Sequence, residues 1–210
     1  MILFRTAYES GKAEYVVEKS KFIAHVQPVE SYEEARDFVN TIKNEYRDAT
    51  HNVPAIICGD KQEIQWASDD GEPSGTSGLP MLKMIADEGL TNIAVVVTRY
   101  FGGIKLGTGG LARAYTAAAK LGLEAAGICE VLDSSVMIYT VEYSYLSKIK
   151  NLESGGVFEI IDIQYTENVT LTLQCLEEET KNVISIMSDL TSGKAILEKK
   201  EKDKIRVKIT

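Results

Sequence analysis

Five glycines between residues 102 and 110 constrain the fold of this chain more than any other feature of its sequence. The apolar, β-branched residues 93–97 come before them and predict a central strand that is buried on both faces. Alanine-rich residues 111–126 follow them and predict an amphipathic helix that ends at Gly127. The glycines therefore predict a loop that joins a buried strand to the start of a helix.

This glycine-rich segment has the features of an anion site. Glycine lets backbone N–H groups approach a ligand closely, and a helix N-terminus adds unpaired donors and a positive dipole. The chain has a net charge of −8, yet no acidic residue occurs from Gly89 to Leu123. The segment predicts a site for phosphate or a phosphodiester, and its residues are Arg99, Tyr100, Gly102, Gly103, Lys105, Gly107, Thr108, Gly109, Gly110 and Arg113.

The segment does not match the standard phosphate-binding loops. A Walker loop ends in Gly-Lys-Ser/Thr, whereas Leu111 follows Gly110 here, and Ala112 occupies the third glycine position of a dinucleotide-binding loop. Two interpretations therefore stay open. The glycines form an anion site, or they only permit a tight turn and close packing of the helix.

A second polar loop, residues 68–80, which we call the acidic loop, carries three carboxylates within four residues. Such a cluster suits Mg²⁺, which prefers oxygen ligands, and nearby hydroxyls would add hydrogen bonds. Acidic turns are also common without a metal, and a bridge to Arg99 or Arg113 is a further alternative. We assign no metal to this loop, whose candidate residues are Asp69, Asp70, Glu72, Ser74 and Thr76.

The sequence indicates no catalytic group and no cofactor. His51 is only a secondary candidate, because a lone histidine is more often structural than catalytic. The three cysteines are far apart, which argues against a disulfide framework and a zinc site. No apolar run is long enough to cross a bilayer and the first residues do not resemble a signal peptide, so a cytoplasmic protein is expected.

The fold class is α+β, with a domain boundary near residue 130. Residues 1–130 predict an α/β domain, including a helix that begins with Ser31 and Glu34 as a capping box. Residues 131–210 read as strand, helix, strand, strand, helix and strand. This βαββαβ order predicts a ferredoxin-like C-terminal domain.

Residues 68–82 and 95–111, together with Ser20-Lys21-Phe22-Ile23 and Ala49-Thr50-His51-Asn52, resemble the signature of the IMPACT/YigZ family. The resemblance is strong over residues 1–130, and the remainder is similar to the extra domain of bacterial members. It implies an N-terminal domain of the type found in a small-subunit ribosomal protein, domain IV of elongation factor G and the GHMP kinases. It also implies a second domain like domain V of elongation factor G.

The resemblance implies a role in translation, because eukaryotic relatives regulate translation by competing for the activator of a stress-responsive initiation-factor kinase. Together with the glycine-rich segment it predicts a non-enzymatic protein that binds RNA, the ribosome or a translation factor. One alternative is an enzyme that acts on a phosphorylated small molecule or nucleotide with Mg²⁺. Another is a regulator that binds a protein partner. The sequence indicates no oligomeric state.

Overall fold

A computed structural model describes residues 1–153 and 155–209, which form two compact units. The first unit contains residues 2–131 and the end of the chain from Arg206 onwards, and the second contains Met1 and residues 132–205. Ile209 N donates to Ile128 O at 2.9 Å, which holds the C-terminal end in the first unit. The sequence predicts that all of residues 131–210 lie in the second domain, whereas the residues from Arg206 onwards group with the first unit.

An antiparallel sheet in the order β2-β3-β6-β4-β5 forms the centre of the first unit. The elements of this unit are β1 (Ile2–Ala7), β2 (Gly11–Val17), β3 (Ser20–Pro28), α1 (Tyr32–Glu45), β4 (His51–Cys58), β5 (Ile64–Ala67), α2 (Gly78–Asp87), β6 (Ile93–Tyr100) and α3 (Gly107–Ala126). Strand β6 lies in the middle, between β3 and β4. Its residues from Ile93 to Arg99 are all buried, which confirms the strand predicted to be buried on both faces.

Helices cover both faces of this sheet. Ala94 and Val96 of β6 belong to the core cluster that packs under α1, whereas Val95 and Val97 pack with α2 and α3. Successive side chains of a strand point to opposite faces, so a strand between two helical layers needs apolar residues at every position. The order of the layers thus explains why residues 93–97 of β6 show no polar alternation.

Helix α1 begins as the sequence predicts. Ser31 Oγ accepts a hydrogen bond from Glu34 N at 3.1 Å, and Glu34 Oε2 accepts one from Glu30 N at 2.7 Å. The reciprocal bond of the capping box therefore reaches one residue further back than the usual N-cap amide. Such caps stabilise a helix by about 1 kcal/mol.

Helix α3 starts at Gly107, so the prediction that it starts at Leu111 is wrong. Glycine disfavours a helix by about 1 kcal/mol per residue relative to alanine, which is why the local sequence indicates a loop. Leu111, Ala114 and Tyr115 are buried against the sheet, so packing holds the second turn, and the helix extends back from it through residues 107–110. The helix ends at Gly127, which has a φ of +66° as its predicted C-cap role requires.

The second unit has the predicted βαββαβ order and is ferredoxin-like. Its elements are β7 (Ile128–Val141), α4 (Tyr143–Glu153), β8 (Glu159–Tyr165), β9 (Val169–Leu176), a 3₁₀ turn (Glu177–Glu179), α5 (Thr180–Thr191) and β10 (Ile196–Lys208). The strand order is β10-β7-β9-β8, and the first residues of β7 and the last residues of β10 belong to the first unit. Tyr139 and Leu171 of the sheet share a core with Ile149 of α4 and with Val183 and Met187 of α5.

Within the part of the chain that the structure describes, none of the helices combines the length and the apolar character needed to cross a bilayer.

Candidate functional site

Asp69 organises the acidic loop and the start of α2. Its Oδ1 accepts hydrogen bonds from Ser77 N at 3.0 Å and Gly78 N at 2.9 Å, and its Oδ2 accepts one from Gly75 N at 2.7 Å. Burial raises the pKa of this carboxyl, but the three amide donors outweigh burial and leave the pKa below its usual value. The carboxylate of Asp69 therefore closes the loop on itself.

Asp70 ties the same loop to β4 and α1. Its Oδ2 accepts from Asn52 N at 2.6 Å, and its Oδ1 accepts from Lys43 Nζ at 2.5 Å. The backbone oxygen of Asp70 lies 2.8 Å from His51 Nδ1. Both carboxylate oxygens of Asp70 thus have partners within the chain.

Glu72 lies at the centre of a buried polar cluster. Its Oε1 accepts from Arg99 Nη1 at 2.6 Å and from Tyr115 OH at 2.8 Å, and His51 Nε2 is 3.9 Å away. Burial, followed by the nearby charge of Glu72, raises the pKa of Tyr115, so its hydroxyl keeps its proton and donates. The cluster links the acidic loop to β4, β6 and α3.

The sequence places Arg99 among the phosphate ligands, but the structure buries it. Only 5% of Arg99 is exposed, and its guanidinium lies 5.3 Å from the centre of the Phe22 ring and 5.4 Å from that of Phe101. Its Nη2 is 3.4 Å from Ser20 Oγ. A desolvated charge needs a partner of opposite sign, and Glu72 provides it. This bridge between Arg99 and the acidic loop is one of the alternatives that the sequence left open.

The acidic loop does not assemble a metal site. Asp69, Asp70 and Glu72 each bond to a different set of partners. Over residues 1–153 and 155–209, no group of three His, Cys, Asp or Glu side chains is placed to hold a metal ion. Thr76 Oγ1 donates to Pro73 O at 2.7 Å inside the loop, and Ser74 is exposed. The bonds of Asp69, Asp70, Glu72 and Thr76 therefore support a structural interpretation of these four residues.

At three positions of the glycine-rich segment, the backbone conformation or a close contact within the chain favours glycine. A Cβ on Gly102 would lie 2.0 Å from the carbonyl carbon of Lys19, so only glycine lets this backbone approach the β2–β3 turn. Gly103 and Gly107 have φ values of +88° and +68°, which favour glycine. For these positions the structural interpretation of the glycines is sufficient.

At position 109, neither a positive φ nor a close backbone contact among the described residues requires glycine. Gly109 lies in the first turn of α3 without a positive φ, and within the described part of the chain a Cβ there would meet only Arg113 Nη1, at 3.9 Å. Gly110 is more restricted, because its Cβ would lie 3.0 Å from that of Leu106. The N-cap residue, Leu106, has no side-chain acceptor and the first turn has no acidic residue. The exposed start of α3 therefore keeps the unpaired amides of a helix N-terminus.

Lys105 and Arg113 lie at the surface beside this first turn, together with Thr108. Neither cation forms an ion pair with any residue that the structure describes. Tyr100 is also partly exposed, and its hydroxyl donates to Asp48 Oδ1 at 3.0 Å. The structure thus separates Lys105, Thr108 and Arg113, at the surface of α3, from Arg99 and His51, which lie in the cluster around Glu72. Tyr100 belongs to neither group.

A groove runs between β2 and the start of α3. We call it the β2–α3 groove; its volume is about 540 Å³ and it is lined by Tyr15, Val17, Glu18, Ile104, Lys105, Leu106, Gly110, Arg113 and Ala114. The sequence gives no local signal for the β2 wall, because Tyr15 and Glu18 are about 90 residues from the helix along the chain. Only the packing of α3 beside β2 brings the two walls together.

A five-stranded antiparallel sheet with helices on both faces, followed by a ferredoxin-like unit, defines a two-domain α+β protein. Residues 18–123 match the model of the Impact N-terminal domain, and residues 140–194 match that of a Domain of unknown function (DUF1949). The chain belongs to the IMPACT family, as its resemblance in sequence implies.

Relatives match over most of the chain. The IMPACT family member YvyE of Bacillus subtilis is 42% identical over 93% of this chain and 90% of its own length. The IMPACT family member YigZ of Escherichia coli is 32% identical over 84% of this chain and 88% of its own. The crystal structure of a hypothetical protein is 30% identical in sequence and superposes with a TM-score of 0.59, covering 92% of this chain and 95% of the other.

Proposed function

We propose that this protein is a non-enzymatic, cytoplasmic regulator linked to translation, which binds RNA, free or in the ribosome, through the exposed start of α3. The observation that carries the proposal is the position of Lys105 and Arg113 beside the amides of this first turn. Cations next to a helix N-terminus form a favourable environment for a phosphate. Family membership supports the link to translation, because the resemblance implies that role for eukaryotic relatives.

The acidic loop does not oppose this function. Asp69 accepts three backbone N–H groups, Asp70 bonds to Lys43, and Glu72 pairs with Arg99. Because these carboxylates are compensated within the chain, their charge is partly cancelled for a phosphate at the start of α3. Because these carboxylates are already bonded within the chain, they support RNA binding more than the alternative of a Mg²⁺-dependent enzyme.

The test compares the double variant Lys105→Ala/Arg113→Ala with Lys148→Ala/Lys150→Ala, in which two exposed lysines of α4 are removed instead. Binding to a fluorescent single-stranded RNA is measured by anisotropy over a series of salt concentrations. Each lost phosphate contact lowers the slope of log affinity against log salt by about 0.7. We expect the first variant to lose about 1.4 from the slope and the control to lose none. Equal effects in the two variants would contradict the proposal.

A further inference from the structure

The two walls of the β2–α3 groove differ in chemistry. The β2 wall presents Tyr15, Val17 and Glu18, and the opposite wall presents Lys105 and Arg113 among apolar residues. The volume of about 540 Å³ lies within the range of pockets that hold a small organic ligand. The groove therefore offers an aromatic and acidic wall opposite a cationic one.

Tyr15 is placed to act as a stacking platform. Its ring is half-buried and packs at 6.4 Å from the ring of Phe22, which supports it from the core. Val17 and Leu106 are also half-buried against the same core and give the groove an apolar lining. An aromatic ring that is held on one side and lines a groove with the other can stack on a base.

The charge of Glu18 limits the class of ligand that the β2–α3 groove can bind. Glu18 lies in the β2–β3 turn with a φ of +46°, is exposed, and has neither a hydrogen bond nor an ion pair to another residue that the structure describes. An anion without hydrogen-bond donors would be repelled by this carboxylate. A nucleotide fits both walls, because it has a phosphate at one end and a neutral base with N–H donors at the other.

On the basis of the proposed RNA-binding function, we propose that the β2–α3 groove binds one nucleotide of a single strand, with a preference for guanine. The base stacks on Tyr15, its adjacent N1–H and N2–H donors face the carboxylate of Glu18, and Lys105 and Arg113 contact the phosphate. A carboxylate accepts two parallel hydrogen bonds from such a pair of donors. Uracil offers one N–H between two carbonyl oxygens, which repel the carboxylate. Duplex RNA keeps its bases paired and stacked, so it does not enter the groove.

The experiment uses a fluorescent ten-nucleotide oligouridylate, the same strand with one central guanine, and a duplex of the latter. The full-length protein is expected to bind the guanine-containing strand about tenfold more tightly than oligouridylate, and to bind the duplex more weakly. Glu18→Gln is expected to remove most of the difference between the two single strands. Tyr15→Leu is expected to weaken binding of the guanine-containing strand about tenfold, and Tyr15→Phe recovers most of that loss.

Tyr165→Leu, on an exposed tyrosine of β8, serves as the matched aromatic control, and thermal unfolding checks that each variant is folded. If the wild type binds RNA without a guanine preference, or if Tyr15→Leu binds as tightly as Tyr165→Leu, the groove is not the nucleotide site and the proposed function still stands. If the wild type binds none of the strands, both proposals fail. Binding of a ten-residue glutamate peptide instead would identify a protein partner and also overturn both.

Discussion

Arg99 of β6 and Glu72 of the acidic loop form a buried ion pair, with Nη1 and Oε1 2.6 Å apart and both side chains about 95% buried. Glu72 also accepts from Tyr115 of α3, so one carboxylate joins three separate parts of the first unit. We expect this pair to determine how the acidic loop packs on the sheet. Its removal tests that role directly.

Glu72→Ala leaves the guanidinium of Arg99 buried without a counter-charge. We expect this variant to lose about 3–5 kcal/mol of unfolding free energy in urea denaturation. Tyr115→Phe removes one hydrogen bond to the same carboxylate and is expected to lose less, about 1.5–3 kcal/mol. A loss for Glu72→Ala as small as that for Tyr115→Phe would show that the pair is not essential to the fold.

Asp69→Ala removes the acceptor of three backbone N–H groups. The expected loss of unfolding free energy is about 2 kcal/mol, because hydrogen bonds to a charged group are stronger than neutral ones. Since the folded pKa of Asp69 lies below its usual value, its contribution is present above the unfolded pKa and is lost as the pH falls through the folded one. Denaturant titrations at neutral and acidic pH should therefore give a smaller difference between wild type and variant at acidic pH.

His25 is buried on β3, and burial, followed by the charge of Lys12, lowers its pKa from 6.5 to about 4. The unfolded chain takes up a proton at this histidine as the pH falls below about 6.5, whereas the folded chain does not until about pH 4. Stability is thus expected to fall over this window, by about 3 kcal/mol at most. In His25→Phe, the unfolding free energy should change less with pH between pH 7 and pH 4 than it does in the wild type. If the slope of unfolding free energy against pH is the same in the variant and the wild type, groups other than His25 cause the loss of stability in acid.

Gly109→Ala is expected to change stability and RNA binding in opposite directions. Alanine is a better helix former, and a Cβ at this position meets only the end of the Arg113 side chain, so unfolding free energy should rise by up to about 1 kcal/mol. The same methyl group lies on the surface proposed for phosphate, so RNA affinity should fall. Thermal unfolding measures the expected rise in stability, and anisotropy on the same preparation measures the expected fall in RNA affinity. A stabilised variant with unchanged affinity would show that the ligand does not approach Gly109.

The alternation of side chains along β6 is a sequence signal for the burial of Arg99. Along β6, Arg99 shares a face with Val95 and Val97, and this face packs against α2 and α3. A guanidinium on a buried face requires an acidic partner, and the carboxylates of residues 69–72 are the candidates. Alternation along β6 therefore indicates that Arg99 points inward, although it does not tell which carboxylate it meets.

Local sequence pattern was sufficient to predict the elements that have a clear hydrophobic periodicity or capping residues. The buried strand β6, the start of α1 at Ser31, the end of α3 at Gly127 and the βαββαβ order of the second unit follow from neighbouring residues alone. Only the tertiary structure decided that Glu72 meets Arg99, 27 residues away, that α3 begins at Gly107, and that Tyr15 and Arg113 line one groove. Burial of a charge, and packing that outweighs the poor helix propensity of glycine, depend on segments distant in sequence, so no local pattern contains them.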